Sequence, residues 1–140
     1  MKKNLFGRIA LPMGILLCTA FVFGQSLLSA EASAAESGRI VGFLVGLIGV
    51  EYRPWMSVLA RKAAHFTEFF LLGTLWGGCA RAYDRRRLWL WGLATGAVDE
   101  CLQFIAPGRA PMVLDVLIDT AGFLCGVGLI FLCARLRQKR

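Results

Sequence analysis

The sequence predicts an all-α integral membrane protein, with four transmembrane helices and a short interfacial or re-entrant helix after the first. Three observations carry this expectation. The chain is 57% hydrophobic with a mean hydropathy of +0.62, whereas an ordinary soluble domain holds about 45–50% apolar residues. The apolar residues gather in runs near the length of about 20 that a membrane-crossing helix needs. The net charge of +7 comes from Lys and Arg at the ends of those runs. Such placement fits a membrane surface better than nucleic acid. The 140 residues suit one domain, 1–140, with no repeat or low-complexity tract.

The first span covers residues 9–28, behind the basic start Met1-Lys2-Lys3. Ala32-Ser33-Ala34 has the form of a signal-peptide cleavage site. The stretch from Gln25 to Ala34 is long for that role, so the helix is expected to be retained. Residues 29–38 are small and polar and read as a loop. Residues 40–50 are apolar but too short to span, and carry Gly42, Gly46 and Gly49. They read as an interfacial or re-entrant helix that ends before Pro54. The second span covers residues 63–82. Arg81, Arg85, Arg86 and Arg87 form a basic connection, and Trp89 and Trp91 stand where an aromatic belt belongs. The third span covers residues 88–106. Pro107-Gly108-Arg109-Ala110-Pro111 is a tight break that makes the third and fourth spans antiparallel neighbours. The fourth span covers residues 113–134. The five cysteines, Cys18, Cys79, Cys101, Cys125 and Cys133, form no CxxC pair, and their number is odd. They read as small packing residues.

Charge sets the orientation. With four spans, one side holds both termini and the 81–87 connection, with 11 of the 16 Lys and Arg residues. The positive-inside rule then places both termini in the cytoplasm.

Under that topology the polar residues fall at one depth, below the outer surface. The second span begins outside with Lys62, His65 and Glu68. The third ends there with Asp99, Glu100 and Gln103, and the fourth begins there with Asp115 and Asp119. A charged residue at the centre of a membrane helix costs about 2.5–3.5 kcal/mol, so this load calls for a role. Helical spacing puts Arg61, His65 and Glu68 on one face. Asp99 and Gln103 share a face with Gly92 and Gly96, and Asp115 and Asp119 with Gly122 and Gly126. Glycines four apart let membrane helices approach closely, so these faces should point into the bundle. Arg61, Lys62 and Arg109 are the cations available to the carboxylates. Taken singly, each group also reads as a solvated helix end or a capping residue.

The blocks Lys62-Ala63-Ala64-His65-Phe66-Thr67-Glu68, Asp99-Glu100-Cys101-Leu102-Gln103, Pro107-Gly108-Arg109 and Asp115-Val116 with Asp119-Thr120-Ala121-Gly122 resemble the VanZ-like family of bacterial membrane proteins. There they read K-x-x-H-x-x-E, D-E-x-x-Q, P-G-R and D-V-x-x-D-x-x-G. The resemblance runs over about residues 23–128, in the same order and spacing. Phe23-Gly24-Gln25-Ser26 departs from the Ser-Ser-Gln that the family often carries, and that helix end is given no role. The resemblance implies a multi-pass protein of the bacterial cytoplasmic membrane. The family's namesake is associated with resistance to teicoplanin, which acts on the cell-wall precursor outside the cell. The expected partner is thus a membrane lipid or cell-wall precursor held at an outward-facing polar site. Two rivals stand beside it. One is an intramembrane enzyme acting on a lipid headgroup, in which these residues could hold a divalent metal. The other is a proton-coupled carrier. No cofactor is evident from the motifs.

Reporters fused at Arg86 and Lys139 should be cytoplasmic and one near Glu51 external, and an external C-terminus would remove the common depth. Protein isolated from membranes should retain the first span by mass; a mature chain starting at Ala35 would leave three.

Overall fold

The computed structural model describes residues 5–85, 87–109 and 112–138. Among the described residues there are five α-helices and no strand: α1 (Leu5–Ser26), α2 (Ala30–Ile48), α3 (Pro54–Ala82), α4 (Leu90–Ile105) and α5 (Val113–Gln138). Arg86, the extreme termini including Lys139, and Ala110 and Pro111 of the tight break lie outside the described residues.

Among the described residues, two helices are long and apolar enough to cross a membrane, Ile9–Ser26 and Val113–Gln138. The other two expected spans fall on helices that do not meet that description. Residues 63–82 form the end of the 29-residue α3, where His65, Glu68 and three glycines dilute the apolar content. Residues 88–106 contain the 16-residue α4, which is short and carries Asp99 and Glu100.

The expected loop at 29–38 is instead helical, and the expected short helix at 40–50 is the second half of the same α2. The stretch is rich in Ala and Glu, which are strong helix formers, and has a full N-terminal signal. Ser29 caps it, its Oγ accepting from the Ala32 N–H at 3.2 Å, and Glu31 lies in the first turn. Gly49, with φ of 73°, ends the helix and donates its N–H to the Val45 carbonyl at 2.9 Å. Pro54 opens α3, in the first turn where its missing N–H is not needed.

The Pro107-Gly108 break is a β-turn. The Arg109 N–H reaches the Ala106 carbonyl at 3.3 Å, and Gly108 has φ of 73°. Pro followed by a positive-φ Gly at the two central positions is the type II pattern. The same turn holds α2, because the Pro107 carbonyl accepts the Ala30 N–H at 3.1 Å.

α3 is the central helix and packs on all four others, with its largest interface against α5. α4 and α5 are neighbours, as the short break implies, but α4 is the smaller partner. α3 and α5 run parallel, with Phe66 beside Gly122, Phe70 beside Gly126 and Gly77 beside Ile130. Glycine makes this possible. A Cβ on Gly73 would collide with the Phe123 carbonyl, one on Gly122 with the Phe66 carbonyl, and one on Gly126 with the Phe70 carbonyl. α1 runs antiparallel to α3, with Leu11 against Gly78 and Leu75 against Gly14. Val22, Phe69, Leu72, Phe123 and Val127 form the buried core between these helices. Away from the core, large side chains such as Leu16, Leu17, Phe43, Phe104 and Leu117 are exposed.

The start of α1 and α4 and the end of α3 and α5 thus share one end of the bundle, with Arg81, Arg135 and Arg137. The opposite end carries His65, Glu68, Asp99, Glu100, Asp115 and Asp119, while Asp84 lies with the arginines.

Gly126→Val and Gly122→Val should lower thermal stability in detergent and abundance in membranes, since forced overpacking costs about 1–3 kcal/mol or more. Gly128→Ala, where an added Cβ meets nothing within 4 Å, should leave both unchanged.

Candidate functional site: a buried carboxylate–histidine cluster

Asp99 lies six residues before the end of α4 and is fully buried. Gln103, four residues on and so on the same helix face, donates from Nε2 to Asp99 Oδ2 at 2.9 Å. Ser26, the last residue of α1, donates from Oγ to Asp99 Oδ1 at 2.5 Å. Two helices therefore fix this carboxylate. Each of its oxygens still has acceptor capacity, because an ionised carboxylate offers about four lone-pair sites.

Asp119 comes from the second turn of α5 and is 1% exposed. Neither of its oxygens has a hydrogen-bond donor among the described residues. Phe69, Gly96 and Phe123 lie around it, so it stands at the edge of the apolar core. His65 approaches from α3, with Nδ1 at 3.7 Å from Asp119 Oδ1. That is beyond hydrogen-bond length, and the nitrogen is buried without a partner among the described residues. One ligand atom each from His65, Asp99 and Asp119 lie within 4.8 Å of one another.

A second layer lies towards the surface. Lys62 Nζ meets Asp115 Oδ1 at 2.6 Å, the two side chains being 26% and 19% exposed. A charge-assisted contact this short is among the stronger hydrogen bonds. Glu100, one residue round α4 from Asp99, is buried beside the Met112 backbone and Asp115.

Two cavities meet at this layer. One of about 540 Å³ lies between α1, α2 and α3, with Arg61, His65, Glu68, Glu36 and Arg109 at its polar part and Phe21, Ile40, Leu44 and Leu71 along its apolar part. The other, of about 200 Å³, lies under the Gly108 turn between Ala30, Gln103, Met112 and Asp115. Arg61, His65 and Arg109 border both. The Nε of Arg61 and of Arg109 is buried without a hydrogen-bond partner among the described residues. Burial first, and then the Arg61 charge, push the Arg109 pKa down, against the pull of Asp99, Asp115 and Glu100. An arginine keeps its proton regardless.

Of the residues singled out from sequence, His65, Asp99, Gln103 and Asp119 converge on one point. Lys62 and Asp115 pair beside it. Glu68 faces the large cavity instead, Arg109 borders both cavities, and Glu100 turns towards the start of α5. The sequence pattern gave no role to Ser26, which holds Asp99. It also missed α2, whose Ser33, Glu36 and Ser37 line the large cavity. The available signal for Ser26 was a polar Gln25-Ser26 pair closing an apolar run at the depth of Asp99.

The family model described as VanZ/LLP1 matches residues 13–134. The chain belongs to the VanZ-like family. No curated protein and no solved structure matches it. The VanZ-like blocks on α3, α4 and α5, with the Pro107-Gly108-Arg109 turn, all lie at the same end of the bundle. With two apolar helices, VanZ-like membership points to a membrane protein.

Removing the Ser26 hydroxyl leaves a buried carboxylate oxygen without its donor, which costs about 1–3 kcal/mol. Ser26→Ala should therefore lower stability in detergent. The cost should shrink in an Asp99→Asn background, the non-additivity expected of groups in contact. Equal costs in both backgrounds would mean that the two side chains act independently.

Proposed function

We propose that α1, α3, α4 and α5 cross the bacterial cytoplasmic membrane with both termini inside, and that the polar end of the bundle faces outward. There it binds an anionic membrane lipid or lipid-linked cell-wall precursor, and through that ligand it lowers the action of glycopeptides such as teicoplanin. The alternation of these four helices and the gathering of Lys and Arg at one side support the orientation. The resistance link rests on the family's namesake.

The large cavity carries the ligand assignment. Its volume of about 540 Å³ lies within the roughly 300–1,000 Å³ of small-molecule sites. One part presents two guanidinium groups with spare donors, the other a run of Phe and Leu side chains. A phosphate headgroup matches the first through charge-assisted, bidentate hydrogen bonds. An acyl or prenyl chain matches the second. A free polar solute would leave the apolar wall unused.

A second reading, an intramembrane enzyme acting on the headgroup, draws on one observation. His65, which borders the cavity, also stands 3.7 Å from the buried Asp119, so a group able to move a proton or hold an ion lies beside the headgroup position.

Native mass spectrometry of the purified chain should show retained phosphatidylglycerol or undecaprenyl phosphate. Arg61→Ala and Arg109→Ala should each weaken retention by about tenfold, about 1.4 kcal/mol. Arg85→Gln and Arg137→Gln, at exposed positions, should retain it and keep any teicoplanin phenotype. Equal retention in all four variants would remove the lipid reading.

A further inference from the structure

We propose that His65, Asp99 and Asp119 bind one divalent transition-metal ion, Zn²⁺ or Mn²⁺, at the floor of the polar site. The three residues come from α3, α4 and α5, so the ion would join the three helices. This goes beyond the lipid reading and does not depend on it.

Geometry is the first support. Three potential ligand atoms lie within 4.8 Å of one another, and His65 Nδ1 stands 3.7 Å from Asp119 Oδ1. That distance is too long for a hydrogen bond. Two atoms each about 2.1 Å from one ion at the tetrahedral angle stand about 3.4 Å apart. The observed separation thus needs only a slight closing to become an edge of a coordination polyhedron.

Satisfaction of buried groups is the second. Asp119 is 1% exposed, with both oxygens lacking a donor among the described residues. His65 Nδ1 is likewise buried and lacks a partner. Native interiors rarely leave such groups unmet, and here two of them lie 3.7 Å apart. Asp99 already accepts from Ser26 and Gln103, which fixes its orientation as outer partners of metal ligands do.

Charge is the third. Two carboxylates so close in a water-poor interior repel strongly unless one takes up a proton or a cation lies between them. The nearby Lys62 is engaged with Asp115, while Arg61 and Arg109 line the cavities. A divalent ion with two carboxylates and a neutral imidazole sums to zero, the cheapest total at membrane depth. One nitrogen and two carboxylate ligands suit Zn²⁺ or Mn²⁺. Three protein ligands leave a position open. Because His65 borders both cavities, an anionic oxygen of a headgroup could reach it.

The full chain, purified in detergent, stripped with EDTA and loaded with Zn²⁺ or Mn²⁺ alone, tests this by metal analysis and thermal melting. With one of the two ions, wild type should hold about one ion per chain and melt several degrees higher than the stripped protein, as for any ligand of the native state. Asp119→Asn and His65→Gln should lose both effects, while Arg137→Gln, at an exposed position at the far end of the bundle, should keep them. Wild type without either ion, or variants that load like wild type, would overturn the proposal. If the variants do not fold, X-ray absorption of the loaded wild type decides: imidazole and oxygen ligands support the site, and sulfur ligands, from cysteine, overturn it. Metal binding with unchanged lipid retention, or the reverse, separates this site from the lipid reading.

Discussion

The close approach of α3 and α5 is the constraint on which the rest of the structure depends. Gly73, Gly122 and Gly126 bring backbone against backbone, and a single Cβ at any of them would force the helices apart. The acidic and histidine groups sit on the same faces, one turn away. Gly122 touches Phe66, the residue after His65, and Asp119 lies three residues before Gly122. The separation of His65 and Asp119 is therefore set by glycine packing rather than by their own attraction. Without a hydrophobic drive between helices in lipid, such close van der Waals packing is a main source of association.

How much of this can be read in the chain depends on whether a feature is local. Asp99 and Gln103, or Asp115 and Asp119, are four apart on one helix, so helical spacing alone pairs them. The glycine faces of α4 and α5 are equally visible. The partner of the α5 glycines is not. A short break points to α4, yet the main contact is α3, which lies a whole helix away in sequence, and no local pattern encodes a parallel pair. Ser26 is invisible for a similar reason, being a lone hydroxyl whose partner lies on another helix. The error on α2 has a different origin. Small polar residues suggest a loop, but without proline, and with only Gly38 to interrupt, an Ala- and Glu-rich stretch behind Ser29 has every reason to be helical.

The polar groups are not equivalent. Lys62 and Asp115 meet at the rim, partly in contact with solvent, where an ion pair contributes modestly. Asp99 and Asp119 lie in the interior, where desolvation dominates and each missing partner is costly. A fold that keeps two interior carboxylates next to an apolar core gives up stability that Leu or Phe would supply at the same positions.

The hydrogen bond from Ala30 to the Pro107 carbonyl fastens only one end of α2. Past Val41 the helix has little to hold it, and most of its residues there are exposed. Its 19 residues extend about 28 Å at the rise of about 1.5 Å per residue. A helix pinned this way is a lever with its fulcrum at the Gly108 turn. A tilt of about 5° about that pin carries the far end roughly 2.5 Å over such a length, while Ser33 hardly moves. The cavity wall at Leu44 is thus adjustable, while the wall beside Arg109 stays fixed.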